Sequence, residues 1–297
     1  MPDTSLDRRE FLARSTAAVV GAGVIAAGAG AAETATAYPP LPRAIIHSML
    51  PKGLSDPDKF ALAKKCGFDG IESQPVADLA QAKTRGDQAR AAGVPIHSVI
   101  YGGWEALLSD PDSAVVDKGK AAIETALRSA KAMGADNILL VPAKVTAQVR
   151  YVEAYERSQK HIRELLPLAE ELKIIIAVEE VWNDFLLSPL EFARYVDEFN
   201  NPWLRAYFDV GNVVAFGYPQ DWIRTLGKRI VKVHLKDFKR ETRQWPNLRD
   251  GDINWPEVRK AFAEVGYTGF VTAELSGGDE AYLKDLSQRM TKIVSGV

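Results

Sequence analysis

The feature that most constrains the fold is a local pattern that recurs along the chain. An amphipathic helical segment is followed by a glycine, two or three further residues and a short apolar run. The glycines of the pattern are Gly67, Gly93, Gly134 and Gly266. Glycine just beyond the last helical turn adopts a positive φ with little strain, so each of them predicts a helix end. Helices alternating with short strands indicate parallel strands joined by right-handed crossovers.

Eight apolar runs after residue 37 fit this pattern. They lie near 43–47, 69–72, 95–99, 137–141, 174–179, 204–209, 230–234 and 269–274. A closed (β/α)8 barrel typically needs about 250 residues, and no change in composition divides these runs into two domains. We therefore predict a single (β/α)8 TIM barrel over residues 38–297. A doubly wound open sheet is the alternative, although no G-x-G-x-x-G supports it.

The first 37 residues resemble a bacterial twin-arginine (Tat) signal peptide. Arg8 and Arg9 precede an Ala/Gly-rich apolar stretch, and Ala35-Thr36-Ala37 has the form of a cleavage site. The apolar stretch is too short and too weakly hydrophobic to indicate a membrane span. The resemblance implies that the Tat export machinery is a partner and that the folded protein is exported to the periplasm. The alternatives are an uncleaved signal that anchors the protein to the membrane and a disordered cytoplasmic leader.

Charge and cysteine content exclude several classes of protein. The chain has 37 basic and 39 acidic residues, of which three and four lie in the first 37 positions. The remaining chain is therefore nearly neutral, which gives no basis for nucleic acid or an anionic membrane as a partner. Cys66 is the only cysteine, so no internal disulfide can form. Its place at the end of a helical pattern predicts a buried, unreactive thiol.

Titratable side chains close most of the predicted strands. The runs of the second half end on Glu179, Asp209, His234 and Glu274, and those of the first half supply His47, Glu72 and His97. Chemistry in TIM barrels is placed at the carboxyl-terminal ends of the strands. A charge that ends an apolar strand is costly unless it is paired or binds a metal. We predict a divalent-metal site formed by the second set, with separate ion pairs to Lys or Arg as the alternative.

The predicted ligand set favours particular metals. Three carboxylates and one imidazole are hard, oxygen-rich ligands that suit Mn²⁺ or Mg²⁺, with Co²⁺ or Zn²⁺ as alternatives. Glu180 adjoins Glu179, but strand alternation points the two side chains apart, and we favour Glu179 as the ligand.

Further side chains are candidates for substrate contact. Lys236 follows His234 by two positions and therefore shares its face, where it could bind a substrate oxygen or pair with Glu274 or Asp209. His97 and Glu72 could contact substrate or fill buried structural roles. Trp182 could stack on a sugar or serve as rim packing.

Several segments resemble the xylose isomerase-like sugar isomerase/epimerase superfamily. They are Ala177-Val178-Glu179-Glu180-Val181-Trp182-Asn183, Phe208-Asp209-Val210-Gly211-Asn212, Val233-His234-Leu235-Lys236-Asp237, Asp250-Gly251-Asp252-Ile253-Asn254-Trp255 and Val271-Thr272-Ala273-Glu274. The resemblance implies a TIM barrel in which the four predicted ligands hold one divalent ion. It also implies that Glu179 and Glu274 form the acid/base pair. Ketose epimerases of this family often carry a substrate-contacting histidine where this chain has Asn212, and the amide cannot titrate.

Together these features predict a metal-dependent sugar isomerase or epimerase. It would remove a proton α to the carbonyl of a ketose or related carbohydrate, through a metal-stabilised enediolate. A lyase or hydrolase acting on keto-sugars or keto-glycosides is one alternative, and a non-catalytic carbohydrate-binding barrel is another. A multi-zinc DNA-repair endonuclease would need more than the four histidines of this chain. The sequence is also compatible with an oligomer.

Overall fold

The predicted strands are all present in the computed structural model, which describes residues 38–296. The strands are β1 (Arg43–Ile46), β2 (Gly70–Ser73), β3 (Ile96–Ile100), β4 (Asn137–Leu140), β5 (Ile175–Glu179), β6 (Leu204–Asp209), β7 (Ile230–Leu235) and β8 (Val271–Ala273). Neighbouring strands pair in parallel in chain order, and β8 pairs with β1. The sheet is therefore a closed barrel, so the TIM-barrel prediction is confirmed and the open-sheet alternative is wrong. The predicted Tat signal lies outside the described residues.

Eight α-helices follow the strands in the described part of the chain. They are α1 (Asp56–Lys65), α2 (Leu79–Ala91), α3 (Ser113–Met133), α4 (Tyr151–Leu172), α5 (Pro189–Asp197), α6 (Pro219–Leu226), α7 (Trp255–Glu264) and α8 (Glu280–Ser295). Three short 3-10 turns accompany them, at His47–Met49, Asn212–Ala215 and Gly227–Arg229. Within residues 38–296, no helix has the length and apolar character needed to cross a bilayer.

The helix ends explain why the connections into the strands are short. The four glycines of the repeated pattern all have positive φ, with values of 91° at Gly67, 73° at Gly93, 85° at Gly134 and 72° at Gly266. The predicted helix stops are therefore confirmed. Six helices begin at a side chain that accepts a hydrogen bond from the first turn, namely Ser55, Asp78, Asp112, Ser188, Asn254 and Asp279. Cys66 ends α1 and is buried, as predicted.

A change of register in the first half of the barrel determines where two side chains point. Ile71 of β2 pairs with Ile96 of β3, but the next residue, Glu72, pairs with Ser98. His97 is therefore an extra residue in a β-bulge, and bulges re-aim side chains. As a result, His97 meets Thr272 of β8 and Ser98 meets Glu72 of the neighbouring β2, both inside the barrel.

The interior of the barrel below its carboxyl-terminal mouth contains several polar groups. Glu72, Ser98, Tyr207 and Thr272 are all fully buried. The Ser98 hydroxyl donates to Glu72 over 2.6 Å, and the Tyr207 hydroxyl donates to the same carboxylate oxygen over 3.0 Å. Because buried polar groups are costly without partners, these hydrogen bonds are what allow a carboxylate to lie inside the barrel.

Candidate metal centre and active site

The four predicted ligands converge at the carboxyl-terminal end of the barrel. Glu179 and Asp209 are the last residues of β5 and β6, His234 is the fifth residue of β7, and Glu274 directly follows β8. Each side chain offers one ligand atom, and these atoms all lie within 4.8 Å of one another. Residues that are distant in sequence therefore meet only because the barrel closes.

The imidazole of His234 lies at the centre of this cluster. Its Nδ1 is 3.2 Å from Glu179 Oε1, 3.3 Å from Glu274 Oε2 and 3.9 Å from Asp209 Oδ2. His234, Asp209 and Glu179 are buried, whereas 31% of the Glu274 side chain is exposed. The site therefore opens to solvent on the Glu274 side.

Burial makes two of the carboxyl groups weaker acids than usual. It raises the pKa of Glu179 to about 7, because the hydrogen bond and charge of His234 only partly offset the loss of hydration. Burial also raises the pKa of Asp209, although Lys236 and His234 oppose the shift. These two groups therefore hold protons more readily than ordinary carboxylates.

His234 and Glu274, the other two members of the cluster, favour their charged forms. Burial opposes a charged His234, but the negative charges of Glu72 and Glu274 raise its pKa well above the ordinary value. Burial likewise opposes a charged Glu274, yet His234 and Lys236 hold its pKa well below the usual range. The cluster thus contains an imidazolium and an ionised carboxylate when it holds no metal.

The donor set fits a divalent cation. The backbone N–H groups of Gly211 and Asn212 both donate to Asp209 Oδ1 over 2.7 Å, which holds the carboxylate in place. Asp209 Oδ2 is buried and makes no well-directed hydrogen bond, although Lys236 Nζ is 3.1 Å away. A fixed carboxylate with one unused oxygen, facing two further carboxylates and an imidazole, is the environment that a hard cation requires.

Lys236 occupies the same space as the predicted ligands. Its Nζ is 2.7 Å from Glu274 Oε2, and Asp209 and Glu274 raise its pKa despite its burial. The ammonium group and the imidazolium together supply the positive charge that three clustered carboxylates need.

Asn212 joins the ends of β5 and β6. Its side-chain amide donates to the backbone carbonyl of Glu180 over 3.1 Å, and the backbone carbonyl of Asn212 accepts from Trp182 Nε1 over 3.1 Å. Asn212 therefore lies beside the centre and fixes the rim residue Trp182, which is 38% exposed.

Trp245 is a site residue that the sequence interpretation missed. It lies in the long loop between β7 and α7 and is 42% exposed. A cavity of about 360 Å³ at the mouth is lined by Trp245, Lys236, Glu274, Leu275 and Ser276. The Trp245 and Trp182 rings are 5.2 Å apart between centroids, so the two indoles form one aromatic wall. The unusual length of this loop directly after His234 was the signal available in the sequence.

The structure places Glu72, one of the predicted substrate contacts, in the interior of the barrel. Glu72 is completely buried, and all its recorded hydrogen bonds are to protein side chains. Oε1 accepts from Ser98 and Tyr207, and Oε2 lies 2.6 Å from His234 Nε2. Tyr207 could have been found from the sequence, because it precedes Asp209 by two residues and therefore shares its inward face.

His97, another predicted substrate contact, lies within a strand and not at its end. It is the second residue of β3. Its ring stacks on Phe270 with centroids 4.1 Å apart, and its Nε2 is 3.1 Å from the Thr272 hydroxyl. Phe270 and Thr272 precede Glu274 along the chain, so His97 lies deeper in the barrel than the metal cluster.

Glu180 is buried, but it is not one of the four clustered ligands. Both its carboxylate oxygens lack hydrogen-bond partners. Burial, together with the charges of Asp209 and Glu179, raises its pKa well above the usual value. The choice of Glu179 over Glu180 as the strand-end member of the cluster agrees with this geometry.

A larger cavity, of about 630 Å³, lies at the opposite end of the barrel. It is lined by residues from the starts of β4, β5 and β7, including Asn137, Ile175 and Lys232. Lys232 is paired there with Asp136 over 2.8 Å. Because the amino-terminal end of a TIM barrel generally serves stability and this cavity lacks the clustered ligands, we place the chemistry at the smaller cavity.

Comparisons with known proteins place this geometry in a known group. The family model described as "Xylose isomerase-like TIM barrel" matches residues 60–293. The L-ribulose-5-phosphate 3-epimerase UlaE of Escherichia coli O1:K1 is 25% identical over 242 residues, covering 77% of this chain and 85% of the relative. A crystal structure of D-psicose 3-epimerase in the presence of D-fructose superimposes with a TM-score of 0.71 at 20% identity. It covers 86% of this chain and 100% of the other. A D-tagatose 3-epimerase-like protein superimposes with a TM-score of 0.74 at 19% identity, over 86% and 98% of the two chains.

Metal affinity is expected to rise with pH. In the metal-free protein His234 holds a proton because its pKa is raised, and this proton must leave when a cation binds. The proton of His234 alone increases the affinity about tenfold per pH unit, and Glu179 adds a second released proton below its pKa of about 7. Isothermal titration calorimetry with Mn²⁺ near pH 6, 7 and 8, in buffers of different ionisation enthalpy, measures both quantities. Asp209→Asn, which removes one ligand charge, should bind more weakly throughout. A pH-independent affinity without proton release would contradict the expectation.

Proposed function

Because the chain belongs to the xylose isomerase-like TIM barrel family, we propose that it is a divalent-metal-dependent sugar isomerase or epimerase. Its substrate would be a ketose or related carbohydrate that loses a proton α to its carbonyl. The observation that carries this proposal is the arrangement of Glu179 and Glu274 around His234, at 3.2 and 3.3 Å from the same Nδ1 atom. Two carboxyl groups with opposite pKa shifts share one small site.

Glu179, Asp209, His234 and Glu274 would hold the ion, for which Mn²⁺ or Mg²⁺ suits the donor set best and Co²⁺ or Zn²⁺ is the alternative. When bound, it supplies positive charge that stabilises the negative charge developing on the carbonyl oxygen and its neighbouring hydroxyl.

Different environments assign different parts to the two glutamates. Glu274 is ionised in the metal-free centre and accepts the proton removed from the carbon α to the carbonyl. Glu179, which is buried, returns a proton to the substrate from the opposite face. After one turnover the two groups have exchanged protonation states, and the exposed side of Glu274 allows exchange with water.

The remaining residues of the mouth position the substrate. Lys236 lies between Glu274 and Trp245, where its ammonium group can donate to a substrate oxygen. Trp182 and Trp245 provide apolar surface against which a sugar ring can stack. Asn212 acts indirectly, because its backbone carbonyl accepts the hydrogen bond of the Trp182 indole and so orients that ring.

One observation favours a second candidate, a lyase or hydrolase acting on keto-glycosides. The aromatic wall extends outward from the cavity through Trp182 to Phe216, which is half exposed and lies 6.4 Å from Trp182 between ring centroids. Such a surface offers room for an aglycone or a second sugar beyond the reacting ring. Removal of the same α-proton begins both reactions.

Glu274→Gln is expected to reduce turnover about 10²–10⁴-fold, because it removes the acceptor for the α-proton. Proton NMR in D₂O follows loss of the α-signal from free ketoses, aldoses and 3-keto-glycosides with Mg²⁺-loaded protein. Glu280→Gln is the matched control, since Glu280 lies on α8 and pairs with Lys65 and Lys284. Unchanged exchange in Glu274→Gln at equal metal content would remove Glu274 from the mechanism.

The same spectra separate the candidate reactions. A new sugar accompanied by exchange identifies an isomerase or epimerase, whereas loss of water or aglycone identifies the second candidate. Absence of exchange across the panel with metal bound would favour a non-catalytic carbohydrate-binding barrel.

Trp245→Ala is expected to raise KM for a keto-glycoside about tenfold or more and to leave kcat within about twofold. A free ketose contacts the aromatic wall with one ring only and should be affected less. Steady-state kinetics on both substrates tests this expectation. An equal loss on both, or a loss confined to kcat, would contradict a stacking role.

We also propose export by the Tat machinery to the periplasm, on the basis of Arg8-Arg9 and Ala35-Thr36-Ala37. Replacing both arginines by lysine should retain the protein in the cytoplasm, as measured by cell fractionation of the full-length chain. Export that is unaffected by this change would contradict the proposal.

A further inference from the structure

His234 is held from both sides, and only one side is part of the metal cluster. Nδ1 faces Glu179, Asp209 and Glu274 at the mouth. Nε2 lies 2.6 Å from Glu72 Oε2, on the side of the ring that points into the barrel. Both side chains of this second contact are completely buried, so water cannot replace either partner.

Glu72 is itself fixed by the barrel interior. The hydroxyls of Ser98 and Tyr207 donate to its Oε1 from β3 and β6, over 2.6 and 3.0 Å. Oε2 is left for His234 alone. Among residues 38–296, His234 is the only basic side chain recorded as an ion-pair partner of Glu72. A buried carboxylate with one cationic partner constrains that partner strongly.

When the imidazolium of the metal-free centre gives up one proton to a cation, this contact decides which nitrogen keeps the other proton. A neutral imidazole has one N–H and one lone pair, and their placement follows the hydrogen bond made by the other nitrogen. Glu72 requires a proton on Nε2, which leaves the Nδ1 lone pair directed at the three carboxylates. Without Glu72, the proton could move to Nδ1, where Glu179 and Glu274 lie within 3.3 Å and would accept it. A proton on Nδ1 would block coordination.

We propose that Glu72 is a positioning residue that makes His234 an Nδ1 metal ligand by holding its proton on Nε2. This inference rests on the metal centre of the proposed function. Carboxylates that fix metal-bound histidines in this way typically contribute 10- to 100-fold to metal affinity.

Glu72→Gln tests the proposal, because it removes the charge and keeps the size of the side chain. We expect Zn²⁺ and Mn²⁺ affinity to fall 10- to 100-fold, measured by competition with a chelator. Tyr207→Phe is the matched control, since it removes one hydrogen bond to Oε1 and leaves the Oε2–Nε2 contact. Its metal affinity should stay within about threefold of wild type, well short of the loss expected for the charge-removing variant.

A spectroscopic readout separates positioning from a general loss of stability. The chain has four histidines, so ¹⁵N-histidine labelling gives a small set of imidazole signals. In Zn²⁺-loaded wild type we expect one imidazole ring whose Nδ1 signal is shifted by the metal. The same ring should carry a proton on Nε2, and the signal of that proton should lie far downfield. Glu72→Gln should lose that downfield proton. If this variant fails to fold, Glu72→Asp, which retains the charge but shortens the side chain, should show weakened metal binding and a shifted Nε2 proton.

The outcomes distinguish this proposal from the proposed function. Wild-type affinity together with an unchanged His234 signal in Glu72→Gln would overturn the positioning role. Equal losses in Glu72→Gln and Tyr207→Phe would also overturn it, because the effect would then come from disturbing the barrel interior. Wild-type protein that binds no divalent ion would overturn the metal centre itself. Metal binding without any sugar turnover would remove the proposed reaction and leave the role of Glu72 intact.

Discussion

Charge compensation around one buried imidazole organises the carboxyl-terminal end of this barrel. Glu72 contacts His234 from inside, and Glu179, Asp209 and Glu274 surround it from the mouth. Burying so many carboxyl groups is unfavourable unless cations or protons accompany them. Lys236, His234 and the raised pKa values of Glu179 and Asp209 provide that compensation without a metal. The protein can therefore fold with a centre that is electrostatically prepared for a divalent ion.

Barrel closure is what turns these residues into a site. The four clustered side chains come from four successive strands, and Glu72 reaches them from β2 on the other side of the barrel. No two of them are close enough in sequence to form a local binding motif. Since the ligand set exists only in the folded chain, metal binding and stability of the closed barrel should reinforce each other.

The fold and the four clustered residues could be predicted because both depend on simple periodicities. The sequence alone reveals the glycines that end helices. It also reveals the apolar segments that end on Glu179, Asp209 or Glu274. His97 could not be placed correctly, because a β-bulge in β3 is not visible in residue types. Glu72 was placed on the correct strand, but its partners come from β3, β6 and β7. Trp245 lies in an irregular loop, which has no helical or strand periodicity from which the direction of a side chain could be predicted.

The loop between β7 and α7 is anchored at its base but carries a residue that lines the mouth of the barrel. Its base is held by Asp237, which accepts hydrogen bonds from the backbone of Arg249 and from the indole of Trp255. Trp245 projects from this anchored loop into the mouth without contributing a ligand to the cluster. Substitutions at the loop surface can therefore alter which molecules enter while the four clustered residues stay unchanged. Divergence in substrate range within such a barrel needs only this kind of local replacement.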